Sequence, residues 1–117
     1  MTANAAGVPS GFARVVAAFA RDRRVSRRRM FSSDTVLSVN GKIFAMIARG
    51  KFVAKLPRVR VDGLVTGGVG ERFDPGRGRL MKEWLAVGPG KADWVELARE
   101  AYRYVRGGAR TRSGRGR

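Results

Sequence analysis

TVLSVNGKIFAMIARGKFVAKL, residues 35 to 56, is the stretch on which the fold turns. β-branched and aromatic residues crowd it, and two turn signals, Asn40-Gly41 and Arg49-Gly50, cut it into three. Asn-Gly between apolar runs is the strongest short-range signal for a two-residue hairpin. The reading is an antiparallel meander with strands over about 34–39, 42–48 and 51–56. Alternation puts Ile43, Ala45 and Ile47 on one face of the middle strand and Phe44 and Met46 on the other. A strand that is apolar on both faces needs two covers. The chain's own helices are the expected cover, with a homodimer contact on the outer face as the alternative.

Outward from the meander, the period changes. On the N-terminal side Phe12, Val15, Val16, Phe19 and Ala20 recur at helical spacing, so a helix is expected over about 10–22, with Arg14, Arg21 and Asp22 on its polar face. Val25 to Phe31 reads equally as a helix end, a loop or an edge strand; exposed arginines on an edge strand would resist edge-to-edge pairing. On the C-terminal side, Pro57 opens a segment that is either a short helix or an irregular connection. ERFD (71–74) is a short strand, PGRGR (75–79) a turn, and LMKEWLAV (80–87) a strand. Trp94, Leu97, Ala98, Ala101, Tyr102 and Val105 then form one stripe of a final helix over about 91–106, with Glu96–Arg99 and Glu100–Arg103 as i,i+3 pairs. Gly107-Gly108 stops it. Residues 1–8 and 107–117 are expected to be disordered, the latter as a basic tail, leaving one domain over 9–106. The fold class expected is α+β: a two-layer arrangement of an antiparallel sheet of about five strands, with N- and C-terminal helices packed on it.

Composition narrows the chemistry. The chain has 117 residues, no cysteine and no histidine. Disulfides, thiolate metal sites and cysteine nucleophiles are therefore excluded, and the usual neutral-pH general base is missing. Nine scattered carboxylates remain. Asp62, Glu71, Asp74 and Glu83 match no metal-ligand spacing and read as ion-pair partners for nearby arginines. TGGVGERFDPGRGR is glycine-rich but lacks the dinucleotide spacing, and it lacks the Lys-Ser/Thr of a phosphate loop, so nucleotide binding is not expected. Trp84 and Trp94 sit on apolar faces and read as core rather than as base-stacking platforms. The expectation is a non-enzymatic protein with no cofactor and no metal.

The formal net charge is +16, and it is unevenly placed. Segment 21–29 holds six arginines and one aspartate; 106–117 holds five arginines and no acid. Residues 30–105 hold 13 basic and eight acidic groups, so the body is only mildly basic. Arginine outnumbers lysine 20 to 5, which suits bidentate phosphate contact. It also suits a composition in which Arg, Ala, Gly and Val are abundant together. The candidate nucleic-acid-binding residues are Arg23, Arg24, Arg27, Arg28 and Arg29, with Arg110, Arg112, Arg115 and Arg117 in the tail. No apolar run approaches the ~20 residues of a membrane span. FARVVAAFA has the look of a signal-peptide core but Arg14 interrupts it, and the chain is read as cytoplasmic.

The order of pieces resembles the TfoX/Sxy N-terminal domain family over roughly residues 10–106. Arg29-Met30-Phe31-Ser32-Ser33 stands where that family has Arg-Met-Phe followed by small residues. Asn40, Gly41, Lys42, Phe44 and Ala45 match its turn and following strand, and Phe73, Gly78, Met81, Glu83 and Trp84 its crossing to the last strand. Ser32-Ser33 replace the usual glycines, and the segment from Pro57 to Gly70 is less acidic than the family's. The resemblance implies helices packed on an antiparallel sheet; MmcQ/YjbR-like proteins share that broad plan. It implies regulation through protein contacts and attaches no catalytic residues. Full-length members carry a second domain, for which 117 residues leave no room, so competence regulation is not carried over. The leading expectation is a regulatory or adaptor module with an unidentified protein partner and no membrane. The alternative is sequence-independent DNA or RNA binding through segments 21–29 and 106–117.

Overall fold

The structure is a computed structural model that describes residues 10–30, 34–74 and 80–107. The expectations for residues 1–8, for the 75–79 turn and for the tail beyond Gly107 lie outside the described residues. Among the described residues three helices and six strands run in the order α1 (Ser10–Ala18), β1 (Val25–Met30), β2 (Asp34–Val39), β3 (Lys42–Ala48), β4 (Lys51–Lys55), α2 (Arg58–Thr66), β5 (Glu71–Phe73), β6 (Met81–Val87) and α3 (Trp94–Arg106). One antiparallel sheet takes the order β1-β2-β3-β4-β6-β5. The fold is α+β, as expected, with six strands because the arginine-rich segment pairs with β2 and becomes an edge.

The meander forms where its turns dictate. Asn40 and Gly41 have φ of 52° and 84°, and Arg49 and Gly50 have 51° and 81°. Positive φ at both central positions matches the twist of the flanking strands, and glycine in the second position takes it without a Cβ clash. Pro57 precedes α2, and the Val61 N–H donates to the Pro57 carbonyl at 3.0 Å, so the ambiguous segment is a helix that buries Val61. Asp93 caps α3 by accepting from the Val95 and Glu96 N–H groups at 2.9 and 3.3 Å, which starts that helix at Trp94 rather than near residue 91.

All three helices lie on one face of the sheet. Phe12 and Val15 of α1, Phe19 just beyond it, Val61 of α2 and Leu97, Ala98 and Ala101 of α3 share one core with Leu37, Phe52, Leu56, Leu85 and Val87. The Trp94 ring stacks on Phe52 at 5.5 Å, and its indole N–H donates to the Gly88 carbonyl at 3.3 Å. A smaller cluster occupies the opposite face: Ala48, Val53 and Ala86, with Met46, Phe73 and Trp84 partly buried around them. The expected helical cover for both faces of β3 is therefore corrected, because α1, α2 and α3 all join the first core. Trp84 likewise belongs to the opposite face, with the Lys55 ammonium 5.5 Å from its ring centroid.

Phe44 also departs from simple alternation. Leu37 pairs with Ala45 and Ser38 with Ile43, so β3 carries one extra residue against β2. This bulge sends Phe44 into the helix-side core with Ala45 and Ile47, and leaves Met46 and Ala48 on the other face.

Candidate nucleic-acid interface

Helix α1 stops at Ala18, four residues short of the sequence expectation. The Phe19 and Ala20 N–H groups bond three residues back, to Val16 and Ala17, at 3.2 Å each. That tightened last turn feeds residues 21–24, where Asp22 organises the reversal. Its carboxylate accepts the Arg24 N–H at 2.8 Å, its carbonyl accepts the Val25 N–H at 3.1 Å, and β1 begins. An aspartate that bonds its own backbone two residues on is a turn former. The Arg24 carbonyl then accepts the Asn40 N–H at 3.0 Å, bringing the β2–β3 turn and Lys42 to the same end of the sheet.

The last helix reaches this place as well. A Cβ added at Gly11 would lie 3.0 Å from the Trp94 ring, and the Phe19 and Tyr102 rings are 5.2 Å apart. Helices α1 and α3 thus lie side by side and point the same way. The Tyr102 hydroxyl donates to Asp22 Oδ2 at 2.5 Å. The Arg106 guanidinium stands 5.9 Å from the Tyr102 ring centroid. The Tyr102 hydrogen bond foremost, then the Arg24 N–H, hold the Asp22 carboxyl below its ordinary value; burial opposes them, and the Arg24 and Arg106 charges reinforce them. The same bond, with burial and the Asp22 charge, raises the Tyr102 phenol.

Arg23 and Arg24 sit in the exposed 21–24 turn, and Arg27 and Arg28 are exposed on β1. Arg29 belongs to β1 and pairs across to Thr35 in the register. Arg110, Arg112, Arg115 and Arg117 lie outside the described residues. The chain enters that tail from Arg106, beside Asp22, so two basic segments far apart in sequence start from one end of the fold. Lys42 is the residue that sequence reasoning missed for this place, and Arg106 entered it only as the first residue of segment 106–117. Helical periodicity places Arg106 on the Tyr102 side, but nothing local predicts the contact across to Asp22.

The charge here is uncompensated. Arg24 reaches the Asp22 carboxylate at 3.8 Å; among the described residues no carboxylate pairs with Arg21, Arg23, Arg27 or Arg28. Two helix C-termini also point here, each equivalent to about half a negative charge. Six guanidinium groups, those of Arg21, Arg23, Arg24, Arg27, Arg28 and Arg106, therefore face one carboxylate and roughly one further unit of negative charge. The far edge is the reverse. Asp62 pairs with Arg72 at 2.5 Å, Glu71 with Lys51 at 2.5 Å, Glu83 with Lys55 at 3.7 Å, and Glu100 with Arg60 at 2.7 Å. Asp62 pairs with arginines as the sequence suggests, whereas Glu71 and Glu83 take lysines, because Lys51 and Lys55 of β4 stand nearer to them; the Asp74 carbonyl accepts from Arg49 at 3.2 Å. Glu100 pairs with Arg60 of α2, not with Arg103, because α2 places a cation closer than the next turn of α3 does.

Among the described residues no group of three carboxylates is placed to hold a metal ion, and no helix is long and apolar enough to cross a membrane. The class so defined is an α+β domain with helices on one face of a six-stranded antiparallel sheet and a cationic strand at its edge. No protein-family model, no curated protein and no solved structure matches the chain.

Proposed function

We propose that this protein is a non-enzymatic, cytoplasmic binding module that holds nucleic acid by its phosphate backbone through the β1 edge, without reading sequence. One observation carries the proposal: Arg21, Arg23, Arg24, Arg27 and Arg28 line the turn and strand at one edge of the sheet, Arg106 joins them beside Asp22, and among the described residues Asp22 is the carboxylate that pairs with any of the six. Guanidinium groups bond phosphate oxygens bidentately, and phosphate contacts carry no base information. Replacing Arg23, Arg24, Arg27 and Arg28 together by glutamine should weaken duplex DNA binding more than tenfold at ~50 mM salt, for every sequence alike. Replacing Arg58 and Arg60, which pair with acids of the body, should change it little. Equal loss from both sets would sink the reading.

A second reading, a TfoX N-terminal-like regulatory adaptor acting through protein contacts, has its own support. The sheet face away from the helices carries Met46, Phe73 and Trp84 around a small apolar floor, with Leu80 and Met81 57% and 38% exposed nearby. That face would take a protein partner or a second copy. The two readings part in a nuclease-treated pull-down: an adaptor keeps its partner after treatment and loses it on Met81→Lys, whereas a nucleic-acid binder loses its associates to the nuclease. Sedimentation at micromolar concentration distinguishes a 12.8 kDa monomer from a homodimer.

A further inference from the structure

We infer that the ligand of the β1 edge is double-helical nucleic acid, taken along a groove with phosphates on both sides of the strand. This rests on the nucleic-acid reading above and adds the form of the ligand. Three observations carry it. The first is the placement of cations about the strand. Val25 packs with the helix-side core, and Arg27 lies opposite Leu37 of that core, so Arg27 leaves the strand on the helix side. Arg28 lies opposite Val36, which pairs with Met46 of the other face, so Arg28 leaves on the opposite side. Successive side chains of a strand point to opposite faces. The edge is therefore a ridge with a guanidinium on each flank, and Arg23 and Arg24 continue it at one end.

The second observation is the ridge crest. Strand β1 pairs with β2 alone and ends the sheet, so alternate N–H groups face outward, free to meet phosphate or sugar oxygens. A double helix offers the matching shape, a groove with a phosphate wall on either side; the major groove of B-form DNA, about 12 Å wide, takes a β ribbon.

The third is the absence, among the described residues, of an open ring at this edge. Proteins that hold single strands stack bases on aromatic side chains, each worth ~1–3 kcal/mol. Here Phe44 is fully buried and Phe19 nearly so. The Tyr102 ring packs against both, at 5.2 and 5.6 Å, and its hydroxyl is spent on Asp22. Phe31 lies outside the described residues. With no stacking ring among the described residues, affinity comes from phosphate density, which a duplex supplies at twice the strand's value.

The test is fluorescence anisotropy on the full chain at ~50 mM salt, with a mixed-sequence duplex of about 20 base pairs, a single strand of about 20 thymidines, and vesicles containing anionic phospholipid. The duplex should bind at least tenfold more tightly than the single strand. Arg27→Gln and Arg28→Gln should each weaken duplex binding several-fold, and the double variant by about the product. Equal or tighter binding of the single strand overturns the inference while leaving the nucleic-acid reading intact. So does a loss confined to one of the two variants, since a groove needs both flanks. Binding to neither nucleic acid, or to the vesicles alone, removes the underlying reading itself.

Discussion

Tyr102 and Asp22, 80 positions apart in sequence, are joined by a hydrogen bond from the phenol to the carboxylate, and that bond locks the end of α3 to the turn before β1. It holds in place the turn from which the arginine edge starts. It also engages the carboxylate at the start of that edge, so that Asp22 is not free to pair fully with an arginine.

The contact should leave a mark on the pH dependence of stability. Asp22 is depressed from 3.8, so its contribution is present above that value and is lost as pH falls through the lower, folded-state pKa. Tyr102 is raised from 10.0, so its contribution is complete below that value and is lost as pH rises through the higher, folded-state pKa. Tyr102→Phe keeps the ring packing on Phe19 and Phe44 and removes the hydroxyl. The stability difference between the two proteins, measured by denaturant titration, should be constant in the mid range and shrink at both extremes. A difference that does not change with pH would mean the bond does not form in solution.

Asp22→Asn should strengthen duplex binding about twofold at low salt, since one charge at ~8 Å through water is worth about 0.5 kcal/mol. The gain should vanish at high salt, where the screening length drops to a few ångströms. Anisotropy titrations at two salt concentrations suffice, and weaker binding by the variant would place Asp22 in the contact rather than beside it.

Trp94→Ala should cost about 3–5 kcal/mol, because it empties the space between Gly11 and Phe52 and leaves the Gly88 carbonyl with the Lys91 N–H as its remaining donor. Chemical denaturation reads this directly. An unchanged midpoint would put the ring at the surface.

Gly70→Ala should destabilise by about 1–3 kcal/mol. A Cβ there would stand 2.6 Å from the Ala86 carbonyl oxygen, between two strands that cannot separate without loss of their pairing. A thermal midpoint equal to wild type would mean that the β5 edge yields at no cost.

Much of the sheet was legible because its turns are written locally. Asn40-Gly41 and Arg49-Gly50 fix where β2, β3 and β4 begin and end. Strand β1 was not legible: three consecutive arginines show no alternation, and the segment is a strand because β2 offers a free edge. The site of Phe44 was misread for a related reason, since a bulge breaks the two-residue period without any glycine to announce it. The arginines themselves were plain in the sequence. The meeting of Arg106 with segment 21–29 was not, because it depends on α1 and α3 lying in parallel and on Tyr102 reaching Asp22. Contacts between distant positions leave no trace in periodicity.

The central claim, that this end of the protein grips phosphates, is tested most directly by the salt dependence of duplex binding. With about four to six phosphates neutralised, the logarithm of the association constant should fall against the logarithm of salt concentration with a slope of about −4 to −5. Removing residues 108–117, which hold four arginines and no apolar side chain larger than alanine, should flatten that slope by about 2 and leave the thermal midpoint unchanged. A slope near zero, or no binding at ~50 mM salt, where counterion release is strongest, would contradict the account and leave the arginines as surface charge alone.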